Sequence, residues 1–244
     1  MMQENEQVIQ DNQLMKHLLE LRKRIIIVLV VFVLSMILGF FAAPDILNFI
    51  KHQPSAVQID WNVFGFGDGI SIYMKCAFIL SLLITLPVAM QQAWVFAKPG
   101  LTEREKKGAF LFIPTSFFLF IAGVAFSYFI LFPMMLQFLS SINQTIGATE
   151  TYGINQYFTL MFGIILPISI MFELPVLSIF LTKIGMISPQ LLRKIRKPAY
   201  LVLVIIALVI TPPDLVSEIL VSIPLLILFE ISILCSNWMY KRTK

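Results

Sequence analysis

A single acidic residue interrupts one of the longest apolar runs of the chain. Glu173 stands between Ile170-Met171-Phe172 and Leu174-Pro175-Val176. Placing a lone carboxylate in hydrocarbon costs about 2.5 to 3.5 kcal/mol on insertion scales, so such a group is neutral, paired or beside a wet cavity. Two interpretations follow. Either Glu173 and Pro175 line a groove used by a partner or substrate, or the protonated acid bonds a carbonyl freed by a nearby proline.

Two further acids lie among basic residues next to apolar runs. Glu20 lies four residues after Lys16 and four before Arg24, and Glu105 belongs to the run Glu103-Arg104-Glu105-Lys106-Lys107. Side chains four positions apart are neighbours on a helix. Taken alone, each acid is therefore most simply a helix salt bridge, worth about 0.3 to 0.5 kcal/mol if exposed.

Residues suited to catalysis or metal binding are sparse. His17 and His52 fall on either side of the first apolar run, and neither they nor the two cysteines form a cluster with metal-ligand spacing. No serine stands in a G-x-S-x-G motif. The glycine-rich run at 65–69 lacks the Lys-Ser or Lys-Thr pair of a phosphate-binding loop. We therefore expect no enzymatic activity, no metal and no cofactor.

The apolar runs that surround these acids predict an all-α integral membrane protein. Hydrophobic residues make up 58% of the 244 residues, and the mean hydropathy is +0.87. A soluble domain could not bury so much apolar surface. Six spans are predicted, at Ile25–Ala43, Ile70–Phe96, Phe110–Phe132, Tyr157–Thr182, Ala199–Ile210 and Ile219–Cys235.

Lysine and arginine are concentrated in alternate connections between the spans. They cluster before the first span and after the second, fourth and sixth, whereas the other connections hold only Lys51 and, at a helix end, Lys75. Because basic residues of short loops stay in the cytoplasm, both termini are predicted to be cytoplasmic. The net charge of +4 then reflects orientation and contact with anionic lipid, not nucleic-acid binding.

These signals predict one domain over residues 1–244. It comprises an amphipathic cytoplasmic lead-in at 1–24, outer loops at 44–69 and 133–156, cytoplasmic loops at 97–109 and 183–198, and a tail at 236–244.

The last two spans are predicted to be short. Ala199–Ile210 would extend about 18 Å at about 1.5 Å per residue, against a hydrocarbon core of about 30 Å. The turn that follows is Thr211-Pro212-Pro213-Asp214, and Glu218 comes soon after it. Either this hairpin thins the bilayer locally, or neighbouring helices cover a tilted hairpin of ordinary kind.

Four segments together resemble TatC, the multi-span subunit of the twin-arginine protein translocase. They lie in the family's order between about residue 14 and residue 240. The segments are His17-Leu18-Leu19-Glu20-Leu21-Arg22-Lys23-Arg24, Lys98-Pro99-Gly100-Leu101 leading to Glu105-Lys106-Lys107, Phe172-Glu173-Leu174-Pro175-Val176, and Thr211-Pro212-Pro213-Asp214 followed by Ser217 and Pro224-Leu225.

The resemblance implies a glove-shaped, concave receptor of six helices in the cytoplasmic membrane of a prokaryote rather than in a plastid. Such a receptor binds the twin-arginine signal peptides of folded cargo proteins. It assembles with single-span TatA-type subunits, in some organisms with TatB-type subunits, and with other copies of itself. Export of the cargo is driven by the proton-motive force.

The resemblance also implies roles for individual residues. Glu20 and Glu105 match the acids that receive the arginine pair, a role that suits carboxylates because a guanidinium fork binds them bidentately and lysine cannot. Glu173 matches the acid of the concave intramembrane face. Positions that shape the site rather than contact the ligand are Arg22, Pro99, Leu101, Pro212, Pro213 and Asp214. The sequence departs from the family at Glu218, where a glutamine is common, which leaves a proton-linked role open.

A proton-coupled transporter of small solutes is the alternative. It would use Glu173, Glu218 and Glu230 as a relay, although Glu230 lies near the cytoplasmic interface, where Lys197 or another rim cation could pair with it. Such transporters often carry internal repeats, and none stands out here. An intramembrane protease would need a nucleophile and base, which the sequence does not offer.

Overall fold

A computed structural model describes residues 2–53, 62–98, 112–147 and 151–243. The helices of these ranges are α1 Met2–Lys51, α2 Asp68–Ala97, α3 Phe112–Phe126, α4 Phe132–Thr145, α5 Ile154–Met171, α6 Leu174–Lys183, α7 Pro189–Lys194, α8 Arg196–Ile210 and α9 Leu215–Thr243. A π-helical turn, Ser127–Leu131, joins α3 to α4. Within the described ranges the β-type pairing is limited to one bridge, Asn62 with Gly153. The predicted all-α class is confirmed.

Five helical segments of the described chain are long and apolar enough to cross a membrane. They are Leu18–Lys51, Asp68–Phe96, Phe112–Thr145, Ile154–Lys183 and Leu215–Lys241. Helix α8 has 15 residues and is thus about 22 Å long, less than a hydrocarbon core of about 30 Å. Helix α8, which corresponds to the fifth predicted span, is therefore short, as predicted. That it crosses the membrane stays a prediction.

Helix α9, which contains the sixth predicted span, is not short, so that part of the prediction is wrong. Helix α9 has 29 residues. Glu218 and Glu230 are both accommodated in the helix. Glu218 lies in the first turn, where it complements the positive end of the helix dipole. Glu230 lies in the interior of the helix and is paired by Arg196 of α8 at 2.7 Å.

Two predicted outer loops begin as helix. Helix α1 continues through Pro44 to Lys51, because Ala43, Leu47 and Ile50 keep a buried stripe at helical spacing beyond the proline. The chain also stays helical past residue 133 as far as Thr145. The loops thus start later than the predicted residues 44 and 133, since burial outweighs the local proline signal.

Contacts between neighbouring helices show the direction in which each helix runs. Helices α1 and α2 are antiparallel, as are the α3–α4 and α5–α6 pairs, and α8 and α9. Helices α2, α5–α6 and α9 share one direction. The defining pairs are Phe40–Tyr73, Arg24–Gln92, Lys75–Asn155, Trp94–Phe180, Phe132–Tyr157, Phe112–Phe180, Ser178–Ser232, Thr182–Ser236 and Arg196–Glu230.

This alternation gathers several basic residues at one end of the bundle. The part of α1 around Arg24, the end of α2, the start of α3, the end of α6 and the start of α8 all lie there. We call it the basic end, defined by Arg24, Lys98, Lys183 and Arg196. The basic residues that the structure describes in these alternate connections thus share one end, in agreement with the predicted orientation.

Two clusters of buried side chains hold the bundle together. The larger one includes Phe132, Phe158 and Met161. The smaller one lies at the basic end and consists of Met90, Trp94, Phe112, Val176 and Phe180. This smaller cluster joins α2, α3 and α6, and it supports the site described next.

Close contacts between helices depend on small residues. A Cβ atom added at Gly123 of α3 would lie 2.7 Å from the Cα atom of Ser169 in α5. Hydroxyl groups then link α6 to α9, since Ser178 donates to the Ser232 carbonyl at 2.9 Å. Small residues and interhelical hydrogen bonds are the usual means of packing helices in a bilayer.

Candidate functional site

The rim acid Glu20 forms an ion pair one helical turn along α1. Its Oε1 atom lies 2.5 Å from Nη2 of Arg24. Arg24 also donates from Nη1 to Oε1 of Gln92 in α2, at 3.2 Å. The side chain of Glu20 is 35% exposed and that of Arg24 is 17% exposed. The predicted helix salt bridge is confirmed, and it also ties α1 to α2.

A cavity of about 870 Å³ lies beside this pair, between α1, α2 and α6. Along α1 its lining extends from Leu21 to Phe32, about 16 Å at 1.5 Å per residue. The lining residues are Leu21, Arg24, Ile25, Val28, Leu29, Phe32, Thr85, Ala89, Gln92, Ala93, Phe96, Phe180, Leu181, Ile184 and Met186. Apart from Arg24, Thr85 and Gln92, these residues are apolar.

The cavity is therefore a long apolar pocket with charged and amide groups at one end. Arg24 and Gln92 lie at the basic end, while Thr85 lies deeper, where its hydroxyl is 3.4 Å from that of Ser35. An extended apolar segment would match these walls, and a cation that preceded it would have Glu20, next to Arg24, as its partner.

Lys183 supports the wall behind the cavity. Although it ends α6, its side chain is buried, with 7% exposed. Its Nζ atom lies 5.6 Å from the centroid of the Trp94 ring and 5.3 Å from that of Phe112, a distance at which cation–π attraction acts. Both rings also contact Phe180, which lines the cavity. Lys183 is thus part of the core and not a loop cation.

The intramembrane acid Glu173 lies at the break between α5 and α6. The break follows from Pro175, which has no N–H to donate to the carbonyl one turn earlier. The side chain of Glu173 is 3% exposed. Both carboxyl oxygens are buried and, among the described residues, have no hydrogen-bond partner. The alternative that the protonated acid bonds a carbonyl freed by a proline stays a prediction.

A hydroxyl group of α3 lies next to this carboxyl. Ser116 is close enough to act on the carboxyl as a weak hydrogen-bond donor, but within the described ranges neither its Oγ atom nor the carboxyl oxygens form a hydrogen bond of normal geometry. Glu173 does not line the cavity beside Glu20. The structure thus keeps the intramembrane acid and the rim acid in separate places.

The outer hairpin tip has a structural role in the conformation observed. Asp214 accepts a hydrogen bond at its Oδ1 atom from the backbone N–H of Ser217, at 2.7 Å, and so caps the start of α9. Its own N–H donates to the carbonyl of Pro212 at 2.7 Å. Pro213 is exposed and Glu218 is partly buried.

Several predicted site residues lie outside the described ranges. Pro99, Leu101 and Glu105 belong to residues 99–111, which the structure does not describe. Of the predicted peptide-binding residues, Glu20 and Arg22 are therefore placed, and Arg22 is exposed on α1. Sequence reasoning missed Gln92, which bears no signal beyond its polarity within an apolar helix.

The three acids of the transporter alternative occupy unconnected positions. Glu230 accepts hydrogen bonds from Arg196 at 2.7 Å and from the hydroxyl of Tyr200, which confirms that a rim cation pairs with it. Glu218 is twelve residues earlier on α9, about 18 Å away. Glu173 is buried against Ser116 of α3. These positions do not favour a relay of the three carboxyl groups.

Comparison with known proteins shows similarity along most of the chain. The family model described as Sec-independent protein translocase protein (TatC) matches residues 16–224. The protein of that name from Halalkalibacterium halodurans is 41% identical over 234 residues, which cover 96% of this chain and 92% of the relative. TatCy of Bacillus subtilis is 42% identical over 231 residues, covering 95% and 91%.

Solved structures agree with these sequence matches. A crystal structure of the twin-arginine translocase receptor TatC superposes with a TM-score of 0.78 at 29% identity, covering 91% of this chain and 99% of the other. A second crystal structure of that receptor, in DDM, gives a TM-score of 0.80 at 30% identity and covers 90% and 99%.

Proposed function

Because the chain belongs to the TatC family of Sec-independent protein translocase proteins, we propose that it is the receptor subunit of a twin-arginine translocase. It binds the signal peptides of folded cargo proteins and nucleates the complex that exports them. Export draws on the proton-motive force. The role is one of binding and assembly, without enzymatic turnover.

The observation that carries this proposal is the position of Glu20. This partly exposed carboxylate lies at the basic end of the bundle, one helical turn from Arg24 at the head of an apolar cavity. A signal peptide presents complementary features in the same order, since its cationic pair is followed by an apolar stretch. Glu20 and Glu105 receive the two arginines, and Arg22, Pro99 and Leu101 shape the site.

Carboxylates select arginine over lysine by geometry. A guanidinium offers two parallel N–H groups to the two oxygens of a carboxylate, whereas an ammonium offers a compact point charge. The surroundings of Glu20 are basic, with exposed Arg22 and Lys23 beside it. A peptide cation therefore gains from binding only where it pairs closely with a carboxylate.

The apolar stretch of the peptide enters the cavity between α1, α2 and α6. The walls near its head include Leu21, Ile25 and Phe96, so the stretch would pass Arg24 and Gln92 and then lie against apolar side chains. Burial of its side chains contributes about 25 cal/mol for each Å² of apolar surface that leaves water. This term supplies affinity, while the carboxylates supply the choice of cation.

Glu173 and Pro175 mark the place where other subunits dock. The carboxyl is 3% exposed and lacks a partner within the described residues, so a polar group of an incoming helix would bind it once the helices around the α5–α6 break move apart. TatA-type and TatB-type single-span subunits, and further copies of this chain, are the proposed partners. Pro212, Pro213 and Asp214 hold the outer tip of the α8–α9 hairpin in shape.

The proposed location is the cytoplasmic membrane of a prokaryote, with both termini in the cytoplasm. The basic end then faces the cytoplasm, where it contacts anionic lipid headgroups. Signal peptides reach Glu20 from that side.

Export in cells tests the proposal. A strain that lacks its own multi-span subunit would carry this chain with its single-span partners, and a folded fluorescent reporter would follow export. We expect export with an Arg-Arg signal and little with a Lys-Lys signal. Equal export of both reporters, or export retained in the Glu20→Ala/Glu105→Ala variant, would contradict the proposal. The Glu230→Ala variant is the control, because it removes an acid that lies away from the proposed site.

A further inference from the structure

The carboxylate proposed to receive the peptide is already bound by an arginine of the same helix. Nη2 of Arg24 lies 2.5 Å from Oε1 of Glu20. The contact joins one nitrogen to one oxygen, although an arginine and a carboxylate can form two parallel bonds. Arg24 therefore occupies Glu20 without using the full geometry that a guanidinium allows.

The guanidinium of Arg24 is held from a second side as well. Its Nη1 atom donates to Gln92 of α2 at 3.2 Å, and the side chain forms part of the cavity lining. Its Nε atom is buried and, within the described part of the chain, has no hydrogen-bond partner. Gln92 and the head of the cavity thus offer Arg24 a place to remain when it leaves Glu20.

We propose that Arg24 is an internal competitor of the peptide's arginine and sets the affinity threshold of the receptor. An incoming cation must displace Arg24 from Glu20 before it can bind the carboxylate. This inference rests on the proposed function, because it assigns Arg24 a role only if Glu20 binds the signal peptide. Arg24 is a positioning residue in this account and does not itself bind the ligand.

Competition by Arg24 should weaken the binding of both peptides equally, whereas a selectivity residue would weaken the binding of one peptide more than that of the other. Every cationic peptide must break the same Glu20–Arg24 pair, so the cost is equal for Arg-Arg and Lys-Lys peptides. An arginine recovers the cost through its second bond to the carboxylate, and a lysine does not. Arg24 thus lowers both affinities by one factor and leaves their ratio to the geometry of Glu20.

The test compares two variants that remove one positive charge each. Arg24→Gln removes the competitor. Lys23→Gln removes the positive charge of an exposed neighbour and so controls for the loss of long-range repulsion between the protein and a cationic peptide. With purified protein in nanodiscs, we expect Arg24→Gln to tighten binding of a fluorescent Arg-Arg peptide about three- to tenfold. The Lys-Lys peptide should gain by the same factor. Lys23→Gln should change either affinity by less than about twofold.

A double-mutant cycle shows whether the gain passes through Glu20. In a Glu20→Gln background, Arg24→Gln should have no more effect than Lys23→Gln. Arg24→Lys keeps the charge but cannot bridge Glu20 and Gln92 as a guanidinium does, so it should tighten binding by a smaller factor. It also covers the case in which Arg24→Gln fails to fold.

The outcomes separate this inference from the function on which it rests. If the wild-type protein does not bind the Arg-Arg peptide, or if Glu20→Gln binds it equally well, the proposed function fails and this inference fails with it. If those controls behave as expected and Arg24→Gln weakens binding or matches Lys23→Gln, only the competitor role is overturned. Weakened binding would mean that Arg24 holds Glu20 in its productive position instead.

Discussion

Replacing Glu173 by methionine should stabilise the fold and impair the proposed function. Methionine has a similar length and no charge, so Glu173→Met removes the carboxyl with little change of volume. The carboxyl is 3% exposed, and its oxygens lack a hydrogen-bond partner within the described residues. A buried polar group without a partner costs about 1 to 3 kcal/mol. We expect the free energy of unfolding to rise by an amount of that order.

Equilibrium unfolding of the purified protein measures this change. The protein is titrated with SDS at a fixed total detergent concentration and followed by tryptophan fluorescence. The same substitution at a partnered acid provides the control, because Glu230 binds Arg196 and Tyr200. Glu230→Met should therefore lower the free energy of unfolding. A similar loss of stability in Glu173→Met would refute the reasoning, since it would reveal a partner for the carboxyl in the folded monomer.

The functional half of this prediction uses the same variant. Glu173→Met should bind the signal peptide as well as the wild type does, because Glu173 does not line the cavity beside Glu20. Assembly with single-span subunits and export should fall, because the polar contact at the break between α5 and α6 is lost. Full export by this variant would leave Glu173 without the docking role that we propose.

Three further substitutions test separate parts of the structure. Ala89→Trp should fill part of the cavity and weaken binding of the complete signal peptide while leaving a truncated peptide without the apolar stretch unaffected; equal affinity for the complete peptide would argue against the cavity. Gly123→Ala should cost about 1 to 3 kcal/mol in unfolding experiments, because its Cβ atom would meet the backbone of Ser169 at 2.7 Å. Asp214→Ala should cost about 1 kcal/mol by removing the cap that accepts from the Ser217 N–H, and Asp214→Asn should restore most of it.

Local features of the site could be predicted from the sequence. The Glu20–Arg24 pair follows from a four-residue spacing on one helix. The short α8 follows from the length of its apolar run. Pairing of Glu230 with a cation of the basic rim follows from its distance to the end of α9.

Features that join distant segments could not be predicted in this way. Gln92 lies 68 residues from Arg24 along the chain, and no periodicity within α2 marks it as a partner. The burial of Lys183 depends on Trp94 and Phe112, which belong to two other helices. The helix through Pro44 depends likewise on packing against neighbours, which outweighs the local preference of proline for an element boundary.

Binding of a fluorescent signal peptide to the purified protein tests the central claim most directly. The measurement compares the Arg-Arg peptide with its Lys-Lys twin, on the wild type and on the Glu20→Ala/Glu105→Ala variant. We expect tighter binding of the Arg-Arg peptide by the wild type and loss of that preference in the variant. Equal binding of both peptides by the wild type, or an unchanged preference in the variant, would contradict recognition of the arginine pair by these carboxylates.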